Sequence, residues 1–220
     1  MKTFCVIPAY NEAKNIEQVI KEVLPAVDAV VVVDDCSTDK TAQAAAAAGA
    51  VVLRHLLNRG QGAALRTGTA DALDQGAEII IHFDADGQFS AADLPALTEP
   101  LRTGEAEIVF GSRFLKKGNV LPAAKRYLIM PTARLINRLF FGVKLTDPQS
   151  GLRALTAAAA RCLSWREDRM AHCSEILWRA HRLHLKIKEV PMTVSYRRFG
   201  QSAGGGWKIL KDLFINKLSN

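Results

Sequence analysis

The sequence predicts an α/β fold with a mainly parallel central sheet flanked by helices. Three observations carry this. Short apolar runs alternate with helical stretches through the first half of the chain. One run, "AVVVVDD" (29–35), is continuous in valine, as in a strand buried on both faces. Polar residues also gather where the runs end, which is where open parallel sheets bind ligands.

The elements follow in order. "TFCVIP" (3–8) reads as a strand. The next stretch, "EAKNIEQVIKEVLPAV" (12–27), carries Ile16, Val19, Ile20 and Val23 at helical spacing. "STDKTAQAAAAAGA" (37–50) reads as an Ala-rich helix with Ser37 or Thr38 as N-cap and Gly49 as its stop. "VVLRH" (51–55) is a short third strand, and "GQGAALRTGTADALDQGA" (60–77) is a helix opening on glycines. "EIIIHFD" (78–84) is the fourth strand. "SAADLPALTEPLRTG" (90–104) is a helix capped by Ser90, and "AEIVFGSR" (106–113) is the fifth strand. Alternation of this kind implies right-handed crossovers between parallel strands.

The second half changes character. Residues 122–145 are basic and amphipathic. "TDPQSGLRAL" (146–155) reads as turn-rich, and "MAHCSEILWRAHRLHL" (170–185) as helical. "KIKEVPMTVSY" (186–196) reads as a strand, "RRFGQSAGGG" (197–206) as a basic loop and "WKILKDLFINKL" (207–218) as an amphipathic helix. No internal repeat interrupts the pattern. Length fits one domain of 220 residues: a ligand-binding half (1–113), a second half (114–202) and a C-terminal amphipathic helix (203–220).

Composition bounds the function. Hydrophobic residues make up 49% and charged residues 23%, ordinary values for a globular protein. With 29 Lys plus Arg against 22 Asp plus Glu, the net charge is +7, which suits an anionic partner or a solvated basic face. The four cysteines, Cys5, Cys36, Cys162 and Cys173, form no CxxC or zinc spacing, so a disulfide framework is not expected. "MKTFCVIPAYNE" turns polar too early for a signal peptide, and the longest apolar candidate (127–145) is broken by Pro131, Arg134 and Arg138. No nucleic-acid-binding motif accompanies the charge, so no nucleic-acid partner is expected.

The chemistry concentrates in "DADGQ" (84–88). In an extended chain, Asp84 and Asp86 point the same way and repel. A divalent cation such as Mg²⁺ would compensate them, often sharing its shell with substrate phosphates. A strand-end Asp-Gly turn with solvated carboxylates is the competing reading.

The ordered set "PAYNE", "VVDDCSTDKT", "NRGQGAALRTG", "DADGQ", "GSRF" and "TDPQSGLRA" resembles family 2 glycosyltransferases. More narrowly, it is similar to the dolichol-phosphate mannose synthase-like branch that uses polyprenyl phosphates. The resemblance runs from about residue 3 to about residue 202. It implies a GT-A fold, Rossmann-like, with a divalent Mg²⁺ or Mn²⁺ and a nucleotide-diphosphate sugar donor. It also implies inversion at the anomeric carbon. Through it, Pro8, Tyr10, Glu12, Val33, Asp35 and Ala85 become nucleotide-sugar contacts, with Asp35 at the base edge. Asp84 and Asp86 stand beside ribose and metal, with Gln88 as a further metal ligand. Arg113 adds fixed positive charge for the phosphates, and Arg126 with Arg197 or Arg198 would hold the acceptor phosphate. The chain departs from the branch at Gln201 and Ala203, where an acid and a lysine are usual.

Three readings compete. A polyprenyl phosphate acceptor is already anionic and needs cations rather than a base. A hydroxyl acceptor needs a carboxylate base, for which Glu175 and Asp147 are the candidates. A non-catalytic nucleotide-sugar-binding module would need neither. The lipid reading implies a cytoplasmic protein, peripheral on the membrane through segments 122–145 and 206–218. A separate membrane protein is a candidate recruiting partner. His172, His181 and His184, and Trp165, Trp178 and Trp207, read as packing or surface residues.

Overall fold

The computed structural model describes residues 1–115 and 145–195. Segment 122–145 lies outside these apart from Leu145. So do Arg126, Arg197, Arg198, Gln201, Ala203, Trp207 and the C-terminal helix predicted at 203–220.

The apolar run at the start becomes β1 (Thr3–Ala9), buried along its whole length. It pairs in parallel with β2 (Ala29–Asp34) on one side and β4 (Ile79–His82) on the other. The third strand, β3 (Val51–Arg54), extends the sheet beyond β2. Among the described residues one sheet of seven strands forms, in the order β3-β2-β1-β4-β6-β5-β7. β5 (Ile108–Ser112) and β7 (Ile187–Pro191) pair in parallel. Between β4 and β5 lies β6 (Arg153–Thr156), antiparallel to both.

Helices cover both faces. α1 (Ile16–Val23), α2 (Thr41–Ala47) and α4 (Leu94–Arg102) share one core with Cys5, Ile7, Val30, Val32, Ile79 and Ile81. α3 (Gln61–Asp74), α5 (Ala157–Cys162) and α6 (His172–Arg182) share the other with Phe4, Val6, Val31, Val33 and Ile80. Alternate residues of β1, β2 and β4 thus serve opposite layers, which is why these central strands carry no solvent-facing polar side. Each fully buried Ile or Val there contributes roughly 1.5–3 kcal/mol.

Several expectations are corrected. β6 falls inside the segment read as turns. α2 is not capped by Ser37 or Thr38. The Ser37 hydroxyl instead accepts from the N–H of Asn11 at 2.9 Å, and the N–H of Thr38 donates to the Asn11 side chain at 2.9 Å. The N-cap position is Lys40, which makes no side-chain cap bond; the Asp39 carboxylate before it accepts from the N–H of Thr41 at 3.0 Å. Ser90 precedes a 3-10 turn (Ala91–Asp93) and makes no side-chain cap bond. Gly49, at φ +94, ends α2 as expected. All four cysteines are free, and Cys5 is core.

Candidate active site

The carboxyl ends of β1, β2 and β4 and the first turn of α3 enclose a cleft of about 300 Å³. It is lined by Pro8, Tyr10, Glu12, Asp35, Asp84, Ala85 and Asp86, all predicted from sequence. Ala9, Gln61, Ala64 and Met170 complete it. The parallel strands deliver their ends to one rim, and the polar residues that could not stay in the core stand there.

The two carboxylates do not converge by strand alternation. β4 stops at His82, and residues 85–87 turn. Gly87, at φ +69, makes that turn in a backbone region other residues avoid. Oδ1 of Asp86 accepts from the N–H of Gln88 at 3.0 Å, which fixes the turn. The side chain of Gln61 donates to Oδ1 of Asp84 at 2.7 Å. Burial at the cleft floor, then the Asp86 carboxylate beside it, pushes the Asp84 carboxyl up to about 7. Burial likewise raises Asp86.

This donor set fits a hard divalent cation. Two oxygen-bearing carboxyls face one cleft and resist ionising together, which a cation would reverse. Among the described residues no cluster of three His, Cys, Asp or Glu could hold an ion alone. Phosphate oxygens and water would therefore complete its shell. Gln88 stands two residues past Asp86 and is not among the lining residues.

Asp35 is buried and largely spent on the protein. Its carboxylate accepts from the N–H of Arg59 at 2.9 Å and of Gly60 at 2.6 Å, and lies 2.7 Å from Nδ1 of His55. It therefore pins the β3–α3 loop and the opening of α3. Val33 does not line the cleft: its side chain is buried in the core beneath α3.

Arg113 follows β5 and is gripped side-on by Asp147, Nε to Oδ2 at 2.6 Å and Nη2 to Oδ1 at 2.8 Å. Asp147 is fully buried. Arg113 is not a lining residue of the cleft. Glu175 is equally occupied. It accepts from the N–H groups of Arg166 and Glu167 at 2.9 and 2.7 Å and from Nε of Arg179 at 2.7 Å.

A buried polar group lies on the α3/α6 side of β4 and β6. Arg153 pairs in register with His82 and sends Nη2 to within 3.1 Å of His172 Nε2 and 3.4 Å of Cys173 Sγ. His172 Nδ1 faces the carbonyl of Arg169 at 2.8 Å. Burial pushes the Cys173 thiol up, but His172 and Arg153 more than offset it and bring it to about 6. Trp165 is buried and donates to the carbonyl of Gly62 at 2.9 Å.

Sequence reasoning missed Gln61, Met170 and Arg153. Gln61 had a signal: it opens a glycine-led helix aimed at the rim. Met170 and Arg153 had none, because only tertiary packing sets Met170 at the cleft and Arg153 against His172 and Cys173.

Known proteins share this chain's sequence pattern and fold. A family model described as glycosyl transferase family 2 matches residues 4–163. The UDP-N-acetylglucosamine–dolichyl-phosphate N-acetylglucosaminyltransferase of Methanococcus voltae is 32% identical, over 98% of this chain and 96% of its own length. The undecaprenyl-phosphate mannosyltransferase of Micrococcus luteus is 31% identical, over 94% and 88%. Among solved structures, the glucosyl-3-phosphoglycerate synthase of Mycobacterium tuberculosis superposes with a TM-score of 0.77 at 23% identity, over 99% of this chain and 80% of that one. The fold is thus a GT-A fold, and the chain belongs to glycosyltransferase family 2, a family of sugar-transferring enzymes.

Proposed function

We propose that the chain transfers a monosaccharide from a nucleotide-diphosphate sugar to a polyprenyl phosphate, with inversion at the anomeric carbon. The observation that carries the acceptor class is the state of the two candidate bases. Asp147 is committed to Arg113, and Glu175 to two backbone N–H groups and Arg179. Neither is placed to take a proton from a hydroxyl acceptor. A phosphate acceptor needs none, and relatives at 32% and 31% identity are named for dolichyl and undecaprenyl phosphates.

Tyr10, half exposed at the rim, offers its ring to the base, while Pro8 and Glu12 line the nucleoside end. Asp35 keeps the neighbouring loop in place for it. Asp84 and Asp86, with Gln88, would hold Mg²⁺ or Mn²⁺. That ion would supply Lewis-acid stabilisation of the departing diphosphate. Arg113 directs fixed positive charge to the attacking phosphate. The donor is GDP-mannose or a UDP-sugar: one relative is named for UDP-N-acetylglucosamine, the other as a mannosyltransferase. The lipid acceptor makes the protein peripheral on the membrane. Among the described residues no helix is long and apolar enough to cross one. The reading needs no separate membrane protein.

The test is thermal stabilisation by UDP and by GDP, each with and without Mn²⁺, followed by transfer to a polyprenyl phosphate in detergent. Ligand that binds the native state raises its apparent stability by mass action. Metal-dependent stabilisation by one nucleotide, then transfer from its sugar, is expected. Stabilisation without transfer would leave a binding module instead.

A further inference from the structure

Glu189 stands in the middle of β7, in register with Phe110 of β5. Its carboxylate does not point to solvent alone. Oε2 accepts from the N–H of Thr146 at 2.7 Å. Oε1 accepts from the N–H of Asp147 at 2.9 Å and from the Thr146 hydroxyl at 3.1 Å. One side chain thus brackets two consecutive backbone N–H groups, 42 and 43 residues away in sequence.

The bracket leads to Arg113 by two routes. Asp147 grips the Arg113 side chain through both oxygens and accepts from its backbone N–H at 3.2 Å. The Thr146 hydroxyl lies 2.5 Å from the hydroxyl of Ser112, the residue before Arg113. Segment 145–150 forms no strand or helix, so its placement depends on such side-chain bonds. A carboxylate accepting from backbone N–H groups makes charge-assisted bonds, stronger than neutral ones.

We propose that Glu189 is a positioning residue for transfer: it fixes residues 146 and 147 so that Asp147 holds the Arg113 guanidinium in its working orientation. This rests on the reading of Arg113 as the cation for the acceptor phosphate. Glu189 touches neither donor nor acceptor. It acts through Asp147, and its loss lets the guanidinium drift. Small misplacements of a charge-bearing group cost rate steeply.

The experiment is a double-mutant cycle on transfer to a short-chain polyprenyl phosphate in detergent, with GDP-mannose, UDP-glucose and UDP-N-acetylglucosamine each offered as donor. Glu189→Gln keeps the shape but can accept with only one of its two end atoms. It is expected to raise the acceptor KM about ten- to a hundredfold and leave the donor KM unchanged. Arg113→Ala is expected to do the same, and the double variant to be no worse than Arg113→Ala alone. A purely structural role would give additive losses, or a donor KM that rises in parallel, and either would overturn the proposal. Should Glu189→Gln fail to fold, Glu189→Asp replaces it in the cycle, keeping the charge while shortening the reach. Absence of transfer by the wild-type protein would overturn the functional reading and this inference together. Transfer by the wild type with an additive cycle would overturn the inference alone.

Discussion

A Cβ placed on Gly151 would lie 3.0 Å from both Cγ and Oδ1 of Asp84, and closer still to Oδ2. The backbone just before β6 therefore forms a wall against which the Asp84 carboxylate rests. Gly151→Ala is expected to displace that carboxylate rather than unfold the protein. Overpacking costs about 1–3 kcal/mol, whereas loss of a site carboxylate would, on the proposed function, abolish metal binding. Mn²⁺-dependent stabilisation by nucleotide should disappear, with transfer down about 10²-fold or more. Calorimetry with and without Mn²⁺ checks this.

The Asp84 carboxyl, raised to about 7 in the metal-free protein, has a signed consequence for stability. A folded-state value above the unfolded one means that the native state binds more protons at intermediate pH. Metal-free stability should then fall as pH rises from the ordinary carboxyl range and level off above about 7. Mn²⁺ affinity should run the other way, rising with pH and flattening there, since the ligand must be deprotonated.

Asp84→Asn keeps an oxygen for Gln61 and cannot ionise. Above pH of about 7, in chelator, this variant is expected to melt higher than wild type by about 2–4 °C for each kcal/mol relieved. It should nonetheless lose metal-dependent nucleotide binding. A lower melting point than wild type under those conditions would remove the argument that the two carboxylates strain the apo site.

Much of this is legible in the sequence. The strands at 3–8, 29–35, 78–84 and 106–113 each announce themselves as an apolar run ending in polar residues, and the rim follows from their direction. β6 was not legible. "LRAL" follows Asp-Pro and Ser-Gly, which read as turns, and it carries an arginine. That arginine is tolerated in the sheet only because His172 and Cys173 meet it from α6, and no local pattern encodes that contact. Strand alternation points to Asp84 and Asp86, yet the strand stops at His82. The turn at Gly87 brings them together instead. Asp147 and Arg113 were both singled out, but their pairing depends on the register of β7, which sequence periodicity does not carry.

Asp35 illustrates a residue that serves the site through the loop it holds. Asp35→Ala removes the acceptor of the Arg59 and Gly60 N–H groups and the partner of His55. Leaving such donors unmet costs about 1–3 kcal/mol each when buried. The variant should lose nucleotide affinity. Hydrogen exchange should rise at residues 59–64 while β1 and β4 stay protected. Exchange that rises evenly across the sheet would assign Asp35 to global stability instead.

The pair of Arg153 and Cys173 makes the last prediction. Arg153 is fully buried, and its Nε and Nη1 have no hydrogen-bond partner among the described residues. A buried guanidinium needs a counter-charge, and the thiol brought to about 6 by His172 and Arg153 supplies one at neutral pH. The thiolate ultraviolet absorbance should show a step near pH 6 that Cys173→Ala abolishes and Arg153→Met moves upward. Because this acid is depressed in the folded state, its contribution to stability is present above the unfolded thiol range and is lost as pH falls through about 6. Cys173→Ala strands the guanidinium and should cost about 3–5 kcal/mol near neutral pH. Adding Arg153→Met removes both charges and fills the space with an apolar chain, so the double variant should recover most of that loss. If it recovers none, the guanidinium is balanced by something other than the thiolate.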